Sequence, residues 1–544
     1  MIESDLLAGR AGTAVGLNPD LLYSSAGMKA SPKKKAATKP IGGGDDVANG
    51  MTERSWRILA LTILIVGAVL RLYALELKPL HHDEGVNGFF LRRLANENIY
   101  HYDPANYHGP TLPYAARVST ELLGMNTVAV RLVPAVFGMG VLLVVLGMRR
   151  RLGDVGSLAS AALLAVSPGA VFHSRYFIHE MLLVFFTLAA VSAATRYFEG
   201  RGDLWMILAA LSLALMFATK ETAIISLIVI LLAALLSTVW GRLIVRDHEA
   251  GQLTAASLGG PERILAVAIA SAILFAAVNV VLYSSFFSYW EGVSGALKTL
   301  SIWKSTGEQQ HVHPWYSYLQ WLLKEESPIL IVAVAGTVFV FLRRHSWFLR
   351  FVALWAFGLF AAYSLVPYKT PWLTLNFLIP LALLAGWSID AVCRNFGVNL
   401  AVAIAAIALI AATYQAVVLN YFRYDDESIP YVYAPTHREF LEMVSEIESI
   451  SQRAGTGTRT EVAVMYDSYW PLPWYLQAYQ NVSYFGTPTP TQTAMVVGSA
   501  DQDTALQPFL TDRYVKVRQY KQRNGLESVL WVRRDVLDRP LNCP

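Results

Sequence analysis

The chain has 544 residues, of which 54% are hydrophobic and 15% charged, and its formal net charge is +4. Soluble globular chains average about 45–50% apolar and about 25% charged residues, so this composition excludes an ordinary cytosolic enzyme and points to lipid. Disorder along the whole chain is excluded as well, since disordered chains are poor in apolar residues. No basic cluster is interleaved with aromatics, which leaves nucleic acid nothing special to bind.

Residues 1–54 are expected to form a disordered cytoplasmic tail: the segment is rich in Gly, Ala, Ser and Lys, with Lys33-Lys34-Lys35 and Gly42-Gly43-Gly44. It carries neither the apolar core nor the cleavage site of a signal peptide, so the first span is expected to target the chain to the membrane. Residues 55–420 read as an all-α polytopic membrane domain. A bilayer takes about 20 residues per helix. Apolar runs of that kind lie near 57–76, 128–148, 155–173, 179–198, 203–219, 221–240, 264–285, 328–342, 350–367, 371–390 and 398–419, about eleven spans. Arg149-Arg150-Arg151, Arg196, Arg242, Arg343-Arg344 and Arg394 occupy every second connection, which makes those connections cytoplasmic. The alternate ones are then outside the cell, including a first outer loop at 77–127 and a second large one at 286–327.

An odd number of spans places residues 421–544 outside too. There, helical spacing at 437–452 and short β-rich runs at 461–466, 494–498, 513–518 and 528–533 predict a small α/β domain. Cys393 and Cys543, the two cysteines, fall on opposite sides of the membrane in this topology, so no disulfide is expected.

The middle turns of the predicted spans carry no Asp, Glu, Lys or Arg. Ionisable groups gather at the rims instead, which places the chemistry at the outer water–lipid boundary and argues against a transporter or flippase-associated role for lipid-linked saccharides, the alternative reading. The first outer loop is richest: His81-His82-Asp83-Glu84-Gly85 comes directly after the first span, and Tyr107-His108-Gly109-Pro110 follows. An acidic pair at such a place is either a turn or helix cap, or a pair of working carboxylates. His82, Asp83 and His108 could also ligate a divalent metal, although their spacing matches no metal motif and the argument requires no cofactor.

The remaining outer junctions each hold a cation beside an apolar helix end: His173-Ser174-Arg175 with His179-Glu180, then Lys220-Glu221, then Tyr368-Lys369-Thr370-Pro371-Trp372. Cations at headgroup level suit a phosphate, gripped bidentately by Arg and as a point charge by Lys. A carboxylate pair and a cation set at one boundary point to a polyprenyl-phosphate sugar cleaved at its sugar carbon. The phosphate leaves as a stable anion, so one base suffices and no acid is needed on the leaving side.

At these residues the sequence resembles the GT-C membrane glycosyltransferases, the dolichyl-phosphate-mannose protein mannosyltransferase-like group, and within it the prokaryotic flippase-activity-associated branch. Asp83-Glu84, Tyr107-His108-Gly109-Pro110, Arg131-Leu132-Val133-Pro134, Ser167-Pro168 with Ser174-Arg175, and Ala218-Thr219-Lys220-Glu221-Thr222 carry the likeness. Residues 368–372 and 469–476 fit the narrower branch. The resemblance implies a multi-pass cell-membrane enzyme that moves a monosaccharide, with inversion, from a lipid-linked donor to a protein, lipid or glycan acceptor. It makes Asp83 the base and Glu84 a sugar or acceptor contact. Arg175, Lys220 and Lys369 become candidates for the lipid phosphate, while His82, Tyr107, His108, His179, Glu180 and Glu221 line the site.

Overall fold

The computed structural model describes residues 51–106, 108–245, 259–306, 311–342 and 346–537. The expected N-terminal tail, Tyr107 and Cys543 lie outside the described residues. Helices dominate up to residue 422, and a five-stranded sheet follows.

Among the described residues, eight helices are long and apolar enough to cross a membrane, and two bent pairs raise the number to ten. This is a multi-pass membrane protein. Three of the eleven expected segments are not straight spans. One is a shorter apolar helix, Leu204–Phe217; one is broken by 61° at Ser167; and the third, Ser327–Leu342, is joined at 110° to a helix Ser317–Glu325 that falls in the expected outer loop.

The first break has a local cause. Asp154–Val166 ends at Ser167, and Pro168, which has no N–H to continue the ladder, opens the helix Pro168–Ser174. The Ser167 hydroxyl caps the new helix by accepting from the Ala170 N–H at 3.1 Å. Arg71 then takes up the carbonyls stranded at the end of the first helix, donating to Leu164 and Ala165 at 2.9 and 3.0 Å. The second break joins Ser317–Glu325 to Ser327–Leu342 at Glu326, whose carboxylate accepts from the Ser167 hydroxyl and the Gly169 N–H, both at 2.8 Å. Each broken span thus uses a polar group at its kink to secure the other.

The helix Leu375–Phe396 is the centre of the bundle, with every residue from Leu375 to Ala391 buried. Pro261–Tyr283 has no fully buried residue, although beyond Arg263 it is almost wholly apolar. One side packs on Leu204–Phe217, where Phe275 meets Phe217 with ring centroids 5.2 Å apart, and lipid covers the apolar remainder.

At one end of the bundle, helix α1 (Glu53–Leu72) runs through a short turn into α2 (His82–Glu97), and α3 (Thr111–Leu123) leads into α4 (Thr127–Leu146). The sheet comprises β1 (Glu461–Val464), β2 (Asn481–Tyr484), β3 (Met495–Ser499), β4 (Tyr514–Arg523) and β5 (Leu526–Arg533), in the order β2-β1-β3-β5-β4. β1 pairs in parallel with β2 and β3, whereas β5 pairs antiparallel with β3 and β4. The helix Glu439–Arg453 buries Phe440, Met443, Val444 and Ile447 in the core cluster that also holds residues of the sheet. This domain reaches back to α2: a Cβ on Gly88 would stand 2.6 Å from the Trp474 ring, so only glycine permits the approach.

Candidate active site

The His81-His82-Asp83-Glu84 run begins α2, and the structure separates its two acids. Glu84 closes a capping box, accepting from the His81 N–H at 2.9 Å while the His81 ring accepts from the Asp83 N–H at 3.1 Å. Arg131 from α4 donates to both Glu84 oxygens at 2.7 Å, and the Phe177 N–H donates to one of them at 2.8 Å. Burial alone would raise the Glu84 pKa; the Arg131 charge and hydrogen bonds outweigh it and hold the group at about 2. Arg131 also donates to the carbonyls of Leu75, Lys78 and Pro79, which fixes the turn between α1 and α2. The Glu84 oxygens are thus buried and occupied, and the group positions the start of α2.

Asp83, one residue earlier, points the other way. Its side chain is 42% exposed, and its carboxylate lies 3.8 Å from the His81 ring. His311, Tyr433 and Arg523 lie within reach of its charge. His311 bonds the Tyr433 hydroxyl at 2.7 Å. His82 stands with its ring centroid 6.3 Å from that of Trp470, and burial pushes its pKa down to about 4, so it is neutral at pH 7.

A second cluster forms where the segment after Asn106 meets the junction at 218–222. The Gly109 N–H donates to the Thr219 carbonyl at 3.0 Å, and a Cβ on Gly109 would fall 2.1 Å from the Ala218 oxygen, which requires glycine. This contact sets His108 against Glu221 at 3.1 Å and 4.7 Å, centroid to centroid, from His179. Lys220 pairs with Glu180 in a buried ion pair. Burial opposes the ammonium, yet Glu180 and Glu221 outweigh it and raise the Lys220 pKa; for Glu221, burial is outweighed by His108 and Lys220, and its pKa is lowered. His108, Lys220 and Glu221 line a small cavity with Tyr363, Tyr368 and Leu373.

The segment 311–313 joins the two clusters. Val312 forms an antiparallel bridge with Tyr368, the Lys369 N–H donates to the His311 carbonyl at 3.0 Å, and the His313 N–H donates to the Pro367 carbonyl at 3.2 Å. His311 therefore faces the surroundings of Asp83 while its neighbours pair with the wall of the Lys220 cavity. Lys369 is buried, and its ammonium donates to the Val366 carbonyl at 2.5 Å.

Arg175 does not join either cluster with a free guanidinium. It donates to the carbonyls of Tyr73 and Ala74 at 2.6 and 2.7 Å, and to those of Leu70 and Arg71 at 3.3 Å, with the Tyr421 ring beneath it. The open carbonyls at the end of α1 take up its donors, which gives Arg175 a backbone role in this structure.

A family model described as dolichyl-phosphate-mannose-protein mannosyltransferase matches residues 107–259. The structure of ArnT from Cupriavidus metallidurans bound to undecaprenyl phosphate aligns with a TM-score of 0.60 at 15% identity, covering 88% of this chain and 98% of that one. The apo state of the same protein gives 0.55 at 16% identity, with the same coverage. The chain has the GT-C glycosyltransferase fold. An oligosaccharyltransferase from Archaeoglobus fulgidus aligns more weakly, with a TM-score of 0.47 at 14% identity over 84% of this chain and 71% of that one. No curated protein matches by sequence.

Within this GT-C fold, no group of three His, Cys, Asp or Glu side chains among the described residues converges on a metal position. The alternative of His82, Asp83 and His108 as ligands is not formed, since His108 turns to Glu221 and His82 to Trp470. Sequence reasoning named His81 only as part of the run 81–85, assigned no role to His311, and missed Tyr433 and Arg523 around Asp83. The His311-Val312-His313 run was the one local signal; Arg523 lies more than 400 positions away and carried none.

Proposed function

We propose that this protein is a membrane glycosyltransferase that transfers a sugar, with inversion, from a polyprenyl-phosphate donor to an acceptor hydroxyl on the extracytoplasmic side, with Asp83 as the base. The observation that carries the reading is the contrast within the acidic pair. Glu84 is sealed by Arg131, which leaves Asp83 as a half-exposed carboxylate at a rigid helix start, beside a wall shared with a cation-bearing cavity. A base must reach its proton directly or through one water, and Asp83 is open to do so.

The donor phosphate belongs in the cavity of His108 and Lys220, with Lys369 next in sequence to its wall residue Tyr368. Its other walls are the apolar Ile225, Val366 and Leu373, which suits the first isoprene carbons of a lipid tail. The phosphate exchanges with Glu180 as the partner of the Lys220 ammonium and leaves as an anion, while Asp83 takes the acceptor proton. The undecaprenyl phosphate bound by ArnT supports this class of donor. The test incubates the purified protein in nanodiscs with a panel of radiolabelled polyprenyl-phosphate sugars and membrane extract. A labelled product of inverted anomeric configuration, absent with Asp83→Asn, is the expected result; wild-type turnover by that variant removes Asp83 as base.

A further inference from the structure

A second, small cavity has walls that include Lys78, His81, Tyr176, Tyr433 and Thr436, and the His81 ring in its wall lies 3.8 Å from the Asp83 carboxylate. Lys78 is 6% exposed and its ammonium has no hydrogen-bond partner. It rests instead on two aromatic faces, 3.6 Å from the Tyr176 centroid and 4.0 Å from that of Phe172. The nearest carboxylate, Glu84, is committed to Arg131. His81 contributes a second open donor. Its Nδ1 accepts from the Asp83 N–H, which places the proton of the neutral ring on Nε2, and that buried atom also lacks a partner. Buried polar atoms are nearly always paired, so two unpaired donors in one cavity mark a place built for an acceptor group. The charges that act on Lys78 and His81 are those of Arg131, Arg175 and Arg523 against Glu84 and Asp83, a small excess of positive charge.

The turn 368–373 stands between the two cavities. Tyr368 and Leu373 line the Lys220 cavity, whereas Trp372 meets His81 and Tyr433 of the second, with centroids 6.1 and 6.0 Å apart. We infer that the Lys78–His81 cavity is an acceptor subsite that holds an anionic group, a carboxylate or a phosphate, carried by an acidic saccharide acceptor beside the hydroxyl that Asp83 deprotonates. The assignment to the acceptor rests on the donor reading above. Burial pushes the Lys78 ammonium well down, and a bound anion offsets that penalty.

The experiment measures thermal unfolding of the full-length protein in nanodiscs with glucuronate, inorganic phosphate or glucose, for wild type, Lys78→Arg and Lys78→Met. Glucuronate is expected to raise the wild-type midpoint by about 2–4 °C, glucose to leave it unchanged, Lys78→Arg to keep the shift and Lys78→Met to lose it. If Lys78→Met does not accumulate, the contrast of glucuronate with glucose in wild type and Lys78→Arg decides. An equal shift with glucose, no shift with glucuronate, or a glucuronate shift retained in Lys78→Met overturns the subsite. A phosphate shift that persists in Lys78→Met while glucuronate has no effect places the anion at Lys220 and overturns it too. Hydrolysis of radiolabelled donor by water needs no acceptor, so its presence or absence reports separately on the transferase reading.

Discussion

Glu84 and Arg131 meet through two hydrogen bonds of 2.7 Å with both side chains fully buried, 47 residues apart in sequence. Glu84→Gln leaves the Arg131 charge without its counterion, and breaking such a pair costs about 3–5 kcal/mol. The expected outcome is a lower unfolding temperature and less protein in the membrane, with specific activity lost only in proportion. The pH dependence has a definite sign. A carboxyl held at about 2 in the folded state contributes stability that is fully present above its unfolded value, about 4.3, and lost as pH falls toward 2. Denaturation midpoints across that window should fall for wild type and stay flatter for Glu84→Gln.

Asp83→Asn should separate chemistry from folding in the opposite manner. The backbone bond from residue 83 to the His81 ring survives the change, as does the Glu84 cap. Transfer should fall by about 10²–10⁴, the usual contribution of a positioned base, while membrane accumulation stays at the wild-type level. Product formation per milligram of purified protein checks this.

Lys220 needs a paired design, because its removal also strands the buried Glu180 carboxylate. Lys220→Met alone should lose both stability and donor affinity. Adding Glu180→Gln should restore much of the stability, since a neutral pair replaces a broken ionic one. The donor KM should remain elevated about tenfold or more in the double variant, with the acceptor KM unchanged; a wild-type donor KM refutes the phosphate assignment.

Arg175→Lys tests the backbone role. One ammonium cannot span the carbonyls of Leu70, Arg71, Tyr73 and Ala74 that the planar guanidinium reaches together. The substitution should cost about 2–4 kcal/mol of stability through those charge-assisted bonds and leave the donor KM unaltered. A donor KM that rises with stability unchanged would instead make Arg175 a phosphate ligand.

What the sequence made legible follows from the range of the interactions. Spans, rim charges and the main strands depend on local periodicity, so the membrane bundle and four of the five strands were readable. β2 was not, because Asn481–Tyr484 is a short, mostly exposed edge strand without a buried face. The length of β4 was missed as well, although Asn524-Gly525, with Gly525 at φ +71°, is a recognisable hairpin turn. The acidic pair was legible as a pair, but its division of labour was not. That division depends on Arg131, 47 positions away, and the occupation of Arg175 depends on carbonyls about 100 positions away. Residue type tells what a cation can bind; only the fold tells what it already binds.

Gly109→Ala probes whether the two clusters work as one site. The added methyl would lie 2.1 Å from the Ala218 oxygen, and backbone on both sides leaves no flexible side chain to yield. The contact breaks as a unit: the Gly109 and Thr111 N–H bonds to residues 219 and 218 lengthen, and His108 withdraws from Glu221. Because this junction is at the rim and not in the bundle core, the cost to global stability should be modest, about 1–2 kcal/mol. The cost to transfer should be greater, about 10²-fold, since a displacement of about 1 Å at a positioned site has that effect. An activity loss no larger than the stability loss explains would separate the His108–Lys220 cavity from the reaction at Asp83.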